Sequence, residues 1–355
     1  MKKKVLATLM AVSMVLSLAA CGGGGDSDKA KDSSAKSDEA GAADTPEESG
    51  DGESNSDAKR IVFCKSYANI DENNQRAENA LQAIIEEING QGEYYVEYYM
   101  TDSQSQVDKQ ITDVESLLQY NPDIMLISAV DTEGSLPAFQ QAKEQGVITI
   151  DDRGAVDEAI DINYYGSNEG AIAERIKQSL RDYLDENPDL TLNVGLIYGL
   201  ASQIEQLKRC DCIYELAEEE EYKDRINILA HQYCDWSTDR ATSTVEDWMI
   251  RYPEMNCIIT ASDDMGLGAC NALTAAGKKD IYVGGVDGTQ IGVQLCEDGT
   301  QNYVTVAMNQ EAMMENLFYD VIIPAIDEGF TGDYYADESC FDTVTRDNVS
   351  EYTVK

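Results

Sequence analysis

The chain has 355 residues, with 67 Asp and Glu against 26 Lys and Arg, and a formal net charge of −41. That sign excludes a nucleic-acid footprint, since a phosphate backbone demands cations, and it argues against a folded body lying on anionic lipid. The single histidine, His231, leaves Ser-His-Asp chemistry without a spare partner and excludes His-rich metal sites. No Walker-type phosphate loop occurs, so no enzyme is expected.

The first segment sets the expected compartment. Lys2-Lys3-Lys4 precedes an apolar run from Val5 to Leu18, which ends in Leu18-Ala19-Ala20-Cys21. A charged start, a short apolar stretch and a small-residue cleavage site make a signal peptide over 1–20. Ending on Cys resembles the bacterial lipobox, which implies that Cys21 is acylated and anchors the chain outside the cytoplasm. Residues 22–60 carry no aromatic and no aliphatic side chain larger than Ala. Such a segment buries no apolar surface, so 21–60 is expected to be the acylated Cys21 and a disordered acidic tether. No later run of about 20 apolar residues occurs, so the membrane is reached through the N-terminal lipid alone.

From residue 61 onward, short β-branched or aromatic runs alternate with longer amphipathic ones. Strands are predicted at 61–66, 94–100, 124–128 and 147–150, with helices at 75–88, 107–118 and 136–144. In the first helix Ala80, Leu81, Ile84, Ile85 and Ile88 recur at helical spacing. A second series predicts helices at 169–184, 204–218, 238–250 and 265–276, with strands at 192–198, 226–232, 256–260, 281–286 and 303–307. Alternation of this kind implies parallel sheets covered on both faces, and the strand count implies two doubly wound α/β lobes. Ligands in such folds sit beyond the carboxyl ends of the strands. The loops found there carry Tyr67, Asn69, Asp71 and Asn73, then Asp151-Asp152-Arg153, then Gln203, Glu205 and Arg209, then Asp235-Trp236, Ser262-Asp263-Asp264 and Asp287-Gly288. Asp263 and Asp264 could equally cap the helix that follows.

Besides Cys21 there are eight cysteines, an even number that invites a disulfide reading in an exported chain. Cys64 and Cys257 lie in apolar strand runs and Cys270 in a helical run, so mostly free buried thiols are expected. Cys210-x-Cys212 has no second pair at zinc spacing.

Three motifs in this order resemble the type 1 periplasmic sugar-binding proteins, the family of ribose- and galactose/glucose-binding proteins. They are Val147-Ile148-Thr149-Ile150-Asp151-Asp152-Arg153, Ser262-Asp263-Asp264-Met265-Gly266-Leu267-Gly268-Ala269 and Val283-Gly284-Gly285-Val286-Asp287-Gly288-Thr289. The resemblance implies two lobes joined by a three-segment hinge, with crossings near Ser167, Asn309 and Gly329. Lobe I would hold 61–167 plus 310–329, and lobe II 168–309 plus 330–355. It also implies sugar contacts by Asp152 and Arg153, with Asp151 as a competing register, by Asp287, by Trp236 stacking on a sugar face, and by Tyr67, Asp71, Glu205 and Arg209. Asn73 stands where a second stacking aromatic would be, Ser262 replaces an Asn, and Met308 falls at a polar contact that Asn309 could supply. Galactose/glucose-type relatives carry a calcium loop where this chain has Asp185, Asn187, Asp189 and Asn193. Leu190 occupies the turn position such loops give to Gly, and Asn256 replaces the distal Glu, so a capped turn without metal or other cofactor is expected. The implied role is capture of a monosaccharide or related sugar by a monomer and delivery to an ABC permease. The alternative is a sensor presenting a sugar, amino sugar or other small polar ligand to a membrane kinase or chemoreceptor.

Overall fold

The computed structural model describes residues 58–203, 205–352 and 354. The expectations for the signal peptide, for Cys21 and for nearly all of the tether lie outside them.

The first lobe is wound from β1 (Lys59–Tyr67), α1 (Glu72–Gln91), β2 (Tyr94–Asp102), α2 (Val107–Leu117), β3 (Ile124–Ile127), α3 (Leu136–Glu144), β4 (Ile148–Asp151) and β5 (Ile162–Tyr165). The second runs through α4 (Glu169–Glu186), β6 (Leu192–Tyr198), α5 (Lys208–Glu218), β7 (Ile226–Tyr233), α6 (Thr238–Arg251), β8 (Cys257–Thr260), α7 (Asp263–Ala275), β9 (Tyr282–Asp287), α8 (Gln290–Asp298) and β10 (Asn302–Met308). The chain then returns through α9 (Gln310–Asn316), α10 (Ile323–Glu328) and β11 (Gly332–Tyr335), and ends with β12 (Phe341–Val344). The sheet orders are β11-β5-β4-β3-β1-β2 and β12-β10-β9-β8-β6-β7. Every pairing is parallel except that of β12 with β10.

Helices on both faces explain the unbroken apolar runs of the central strands. All four residues of β3 are buried, and in β1 Phe63 enters one core cluster while Cys64 enters another on the opposite face. The eight described cysteines are all buried free thiols. Burial pushes the thiol of Cys64 up to about 12, so it stays protonated and packs as a small hydrophobe.

The chain passes between the sheets after Tyr165, after Met308 and after Tyr335. The third position corrects the expectation of a crossing near Gly329 and of 330–355 lying wholly in lobe II. Gly329 is a left-handed cap of α10 (φ 72°), after which β11 pairs with β5. Tyr334 and Tyr335 stack on Tyr164 and Tyr165, at centroid distances of 5.9 and 4.6 Å, and this holds the returning strand to the first sheet. The short strands β5, β11 and β12 and the helices α8, α9 and α10 are not among the predicted elements.

Candidate functional site

A cleft of about 370 Å³ lies where the carboxyl ends of the two sheets face each other. Helix starts dominate its walls. Asp71 caps α1 by accepting the Asn74 N–H at 2.8 Å, Ser237 caps α6, Ser262 caps α7 and Thr289 caps α8. Asn168 caps α4 from the first crossing. All five line the cleft, so their helices turn N-terminal ends toward it. Ser262 therefore takes the capping place considered for Asp263 and Asp264. Asp263 is instead buried, accepting from Thr289 N–H, the Thr289 hydroxyl and the Tyr303 hydroxyl.

The floor is an ion network. Arg209 donates from Nε and Nη2 to both oxygens of Glu169, each at 2.7 Å, and from Nη1 to the Ala261 carbonyl at 2.8 Å and Asp287 Oδ1 at 3.4 Å. All three charged residues are more than nine-tenths buried. Burial pushes the Asp287 carboxyl well above the usual range, and Arg209 opposes that shift. Asp287 holds φ at 110°, and Asp235 and Trp236 hold φ at 49° and 61°, so backbone strain gathers at this cleft. Gly288 follows at φ 62°, where a Cβ would meet that of Ala307 at 2.3 Å.

The Trp236 indole lies against Gly199, whose hydrogen leaves the room it needs, since a Cβ there would come within 2.3 Å of the ring. Its Nε1 donates to Gln203 Oε1 at 2.9 Å, which fixes the plane of the ring. On lobe I, Asp152 Oδ2 accepts from the Ser128 hydroxyl at 2.9 Å. Asp152 Oδ1 and Arg153 Nε stand 3.5 Å apart, both buried and neither in a protein hydrogen bond. Asp151, the competing register, points away from the cleft. Its Oδ2 accepts the N–H groups of Arg153 and Ala155, and burial followed by repulsion from Asp152 pushes its carboxyl up to about 7.

Of the residues singled out in the sequence, Asp71, Asn73, Asp152, Arg153, Arg209, Trp236, Ser262 and Asp287 come together at the cleft. Tyr67 and Asn309 do not. Tyr67 turns into lobe I, where its hydroxyl donates to Glu78 Oε2 at 2.8 Å, and Asn309 caps α9 at the second crossing. The side chain of Glu205 lies outside the described residues. Glu169, Tyr165, Asn74, Gln206 and Thr289 line the cleft without having been singled out. Glu169 merely opens a predicted helix, and nothing in local spacing links it to Arg209, 40 positions away. Tyr165 lies on a four-residue strand too short to read.

A family model described as periplasmic binding protein domain matches residues 61–322. The chain belongs to this periplasmic binding protein family. A xylitol-binding protein of Mycolicibacterium smegmatis is 25% identical over 58% of this chain and 57% of its own length. A ribose import binding protein of Escherichia coli is 24% identical over 56% of this chain and 64% of its own. The matched segment thus spans about three-fifths of these relatives. A solute-binding protein of an ABC transporter from Burkholderia graminis, solved in complex with D-arabinose, superposes with a TM-score of 0.70 at 19% identity, covering 84% of this chain and 99% of that one. That likeness establishes the two-lobed type 1 fold.

The calcium-loop region of this periplasmic binding protein is organised by an arginine. Arg225 donates from Nη2 to the carbonyls of Leu184 and Asn187, at 2.9 and 2.7 Å, and from Nε to that of Leu190 at 3.2 Å. Asp185 accepts from the Tyr222 hydroxyl, Asn193 Oδ1 from Asn227, and Asn256 bridges Asn193 N–H and the Thr191 carbonyl. The guanidinium brings positive charge to the loop carbonyls. No group of three or more acidic, His or Cys side chains suited to a metal ion occurs among the described residues.

Proposed function

We propose that this chain is an extracytoplasmic binding lipoprotein, not an enzyme, that captures a monosaccharide or related sugar between its lobes and delivers it to an ABC importer. The observation that carries the reading is the composition of the cleft: one fixed indole wall amid amides, carboxylates and guanidiniums. A sugar ring offers C–H faces to an aromatic and hydroxyls that both donate and accept. The Asp152 and Arg153 atoms left without protein hydrogen bonds are groups that such hydroxyls would complete. The names of the relatives, with xylitol, ribose and D-arabinose among them, favour the same class.

Contacts between the lobes support capture by closure. The Thr132 hydroxyl of lobe I donates to the Ser202 carbonyl of lobe II at 3.2 Å, and Gln290 N–H of lobe II donates to Glu72 Oε1 of lobe I at 3.0 Å. Arg76 on α1 donates to the carbonyls of Asp287 and Met308 at 3.1 and 3.2 Å. A permease would recognise the shape that such contacts complete. Cys21 and the tether would hold the binder near that permease.

A thermal-shift screen against monosaccharides and polyols tests the reading, because a ligand that binds only the folded state raises the melting temperature. A sugar that shifts the wild type should bind Trp236→Ala at least about tenfold more weakly, the loss of an aromatic wall. Shifts by an amino acid or nucleoside and by no sugar would refute the ligand class. Unchanged affinity in Trp236→Ala would refute the site.

A further inference from the structure

The charge balance of the cleft narrows the solute. Six carboxylates line it, from Asp71, Asp152, Glu169, Asp235, Asp264 and Asp287, against the guanidiniums of Arg153 and Arg209. Both cations are engaged. Arg209 sets one charge against the two of Glu169 and Asp287, and Arg153 stands beside Asp152. Asp235 pairs with Arg240, which does not line the cleft. Asp71 and Asp264 are left over, one on each lobe. Among the described residues, the carboxylate oxygens of Asp71 accept only from uncharged donors, the Asn74 N–H and the Asn69 amide. Among the described residues the Asp264 carboxylate takes no hydrogen bond and no ion pair, although it is partly buried.

These groups feel each other across the gap. Burial first, then repulsion from Asp71 and Glu72, raises the Asp264 carboxyl above its ordinary value. Among the described residues, Glu72 accepts across the gap only from the uncharged Gln290 N–H, at 3.0 Å. Arg76, one turn along α1, turns its guanidinium to the Asp287 and Met308 carbonyls, and the N-termini of α1 and α7 supply partial positive charge, roughly half a unit each, against three full negative ones. As the lobes meet, like charges leave water together. A sugar hydroxyl answers that weakly, whereas an ammonium group makes charge-assisted hydrogen bonds about twice as strong.

We propose that the solute carries a protonated amine, as an amino sugar or amino-substituted polyol does, and that its ammonium is held between Asp264 of lobe II and Asp71 of lobe I. This rests on the reading of the cleft as a sugar site. The same excess of negative charge excludes sugar acids and sugar phosphates.

The test is calorimetry on the folded chain with glucosamine, galactosamine and mannosamine, each beside its parent hexose, its N-acetyl derivative and the corresponding uronic acid, at pH 7.5. At least one amine should bind about tenfold or more tightly than its parent. Its N-acetyl form should lose that advantage and the uronic acid should bind weakest. Asp264→Asn should lower affinity for the amine more than for the parent, collapsing the ratio. Asp264 has no hydrogen-bond or ion-pair partner among the described residues, and burial with like charge outweighs the α7 N-terminus, so the apo variant should melt no lower than the wild type; a lower midpoint would overturn the charge argument. A parent hexose that binds at least as tightly as every amine overturns the proposal and leaves the sugar reading standing. No binding by any sugar, charged or neutral, removes both.

Discussion

Replacing Arg209 by Met isolates the ion network under the cleft. The substitution keeps most of the side-chain volume but removes the donors that serve both Glu169 oxygens, the Ala261 carbonyl and Asp287. Glu169 and Asp287, each 8% exposed, are then left facing each other without a counter-cation. Removing one partner of a buried pair leaves an uncompensated charge and destabilises by about 3–5 kcal/mol. For a folded body of about 295 residues that corresponds to a fall in melting temperature of roughly 5–8 °C. Thermal unfolding followed by circular dichroism at pH 7.5 reads it directly. The sign with pH is also determined. Burial already raises the Asp287 carboxyl above its unfolded value, and without Arg209 to pull it down it rises further. A carboxyl whose folded pKa is raised destabilises the fold when ionised, and that penalty is relieved as pH falls through the folded value. Arg209→Met should therefore recover part of its loss on moving from pH 8 to pH 5. In the Arg209→Met/Glu169→Gln double variant the second change should add less than it does alone, because the two groups are coupled. A loss below about 1 kcal/mol in the single variant, or strict additivity in the double, would refute the reasoning.

Three further expectations follow from groups outside the cleft. Asp151, pushed up to about 7 against an unfolded value of 3.8, destabilises the fold above pH 7, and that effect fades as pH falls toward 4. Asp151→Asn keeps an acceptor for the two N–H groups and should raise the melting temperature more at pH 8 than at pH 5; a rise of equal size at both would exclude titration as its cause. Arg225→Ala should lower the melting temperature by about 2–5 °C, since it strips a cation from three buried or turn carbonyls. Calcium added after chelation should leave the wild-type midpoint unchanged, and a calcium-dependent rise would show that the arginine does not serve in place of the ion.

Much of the cleft could be read from local signals because strand ends in wound α/β folds deliver their loops to one place. Asp152, Trp236 and Asp287 each follow a strand evident from its apolar run, so their convergence required only the fold class. Tyr67 misled for a related reason. It ends a strand, where side chains alternate between faces, and no local pattern tells which face a terminal aromatic takes. In the structure it takes the core face, because Glu78 offers its hydroxyl an acceptor there, shared with the hydroxyl of Tyr98. Asn309 ended in a helix cap, since the N–H groups at the start of α9 need an acceptor more locally than any solute can provide.

Composition and periodicity by themselves determined the class, two wound lobes in an acidic chain, because burial on both faces writes itself into each central strand. They also determined which loops face one another. The third crossing, the Glu169–Arg209–Asp287 network, the Arg225 bonds to the carbonyls of Leu184, Asn187 and Leu190, and an Asp264 carboxylate without a partner among the described residues were decided by tertiary structure alone. Each depends on groups far apart in the chain, or on which of several donors reaches an acceptor first. Pair distances of that kind have no trace in local spacing.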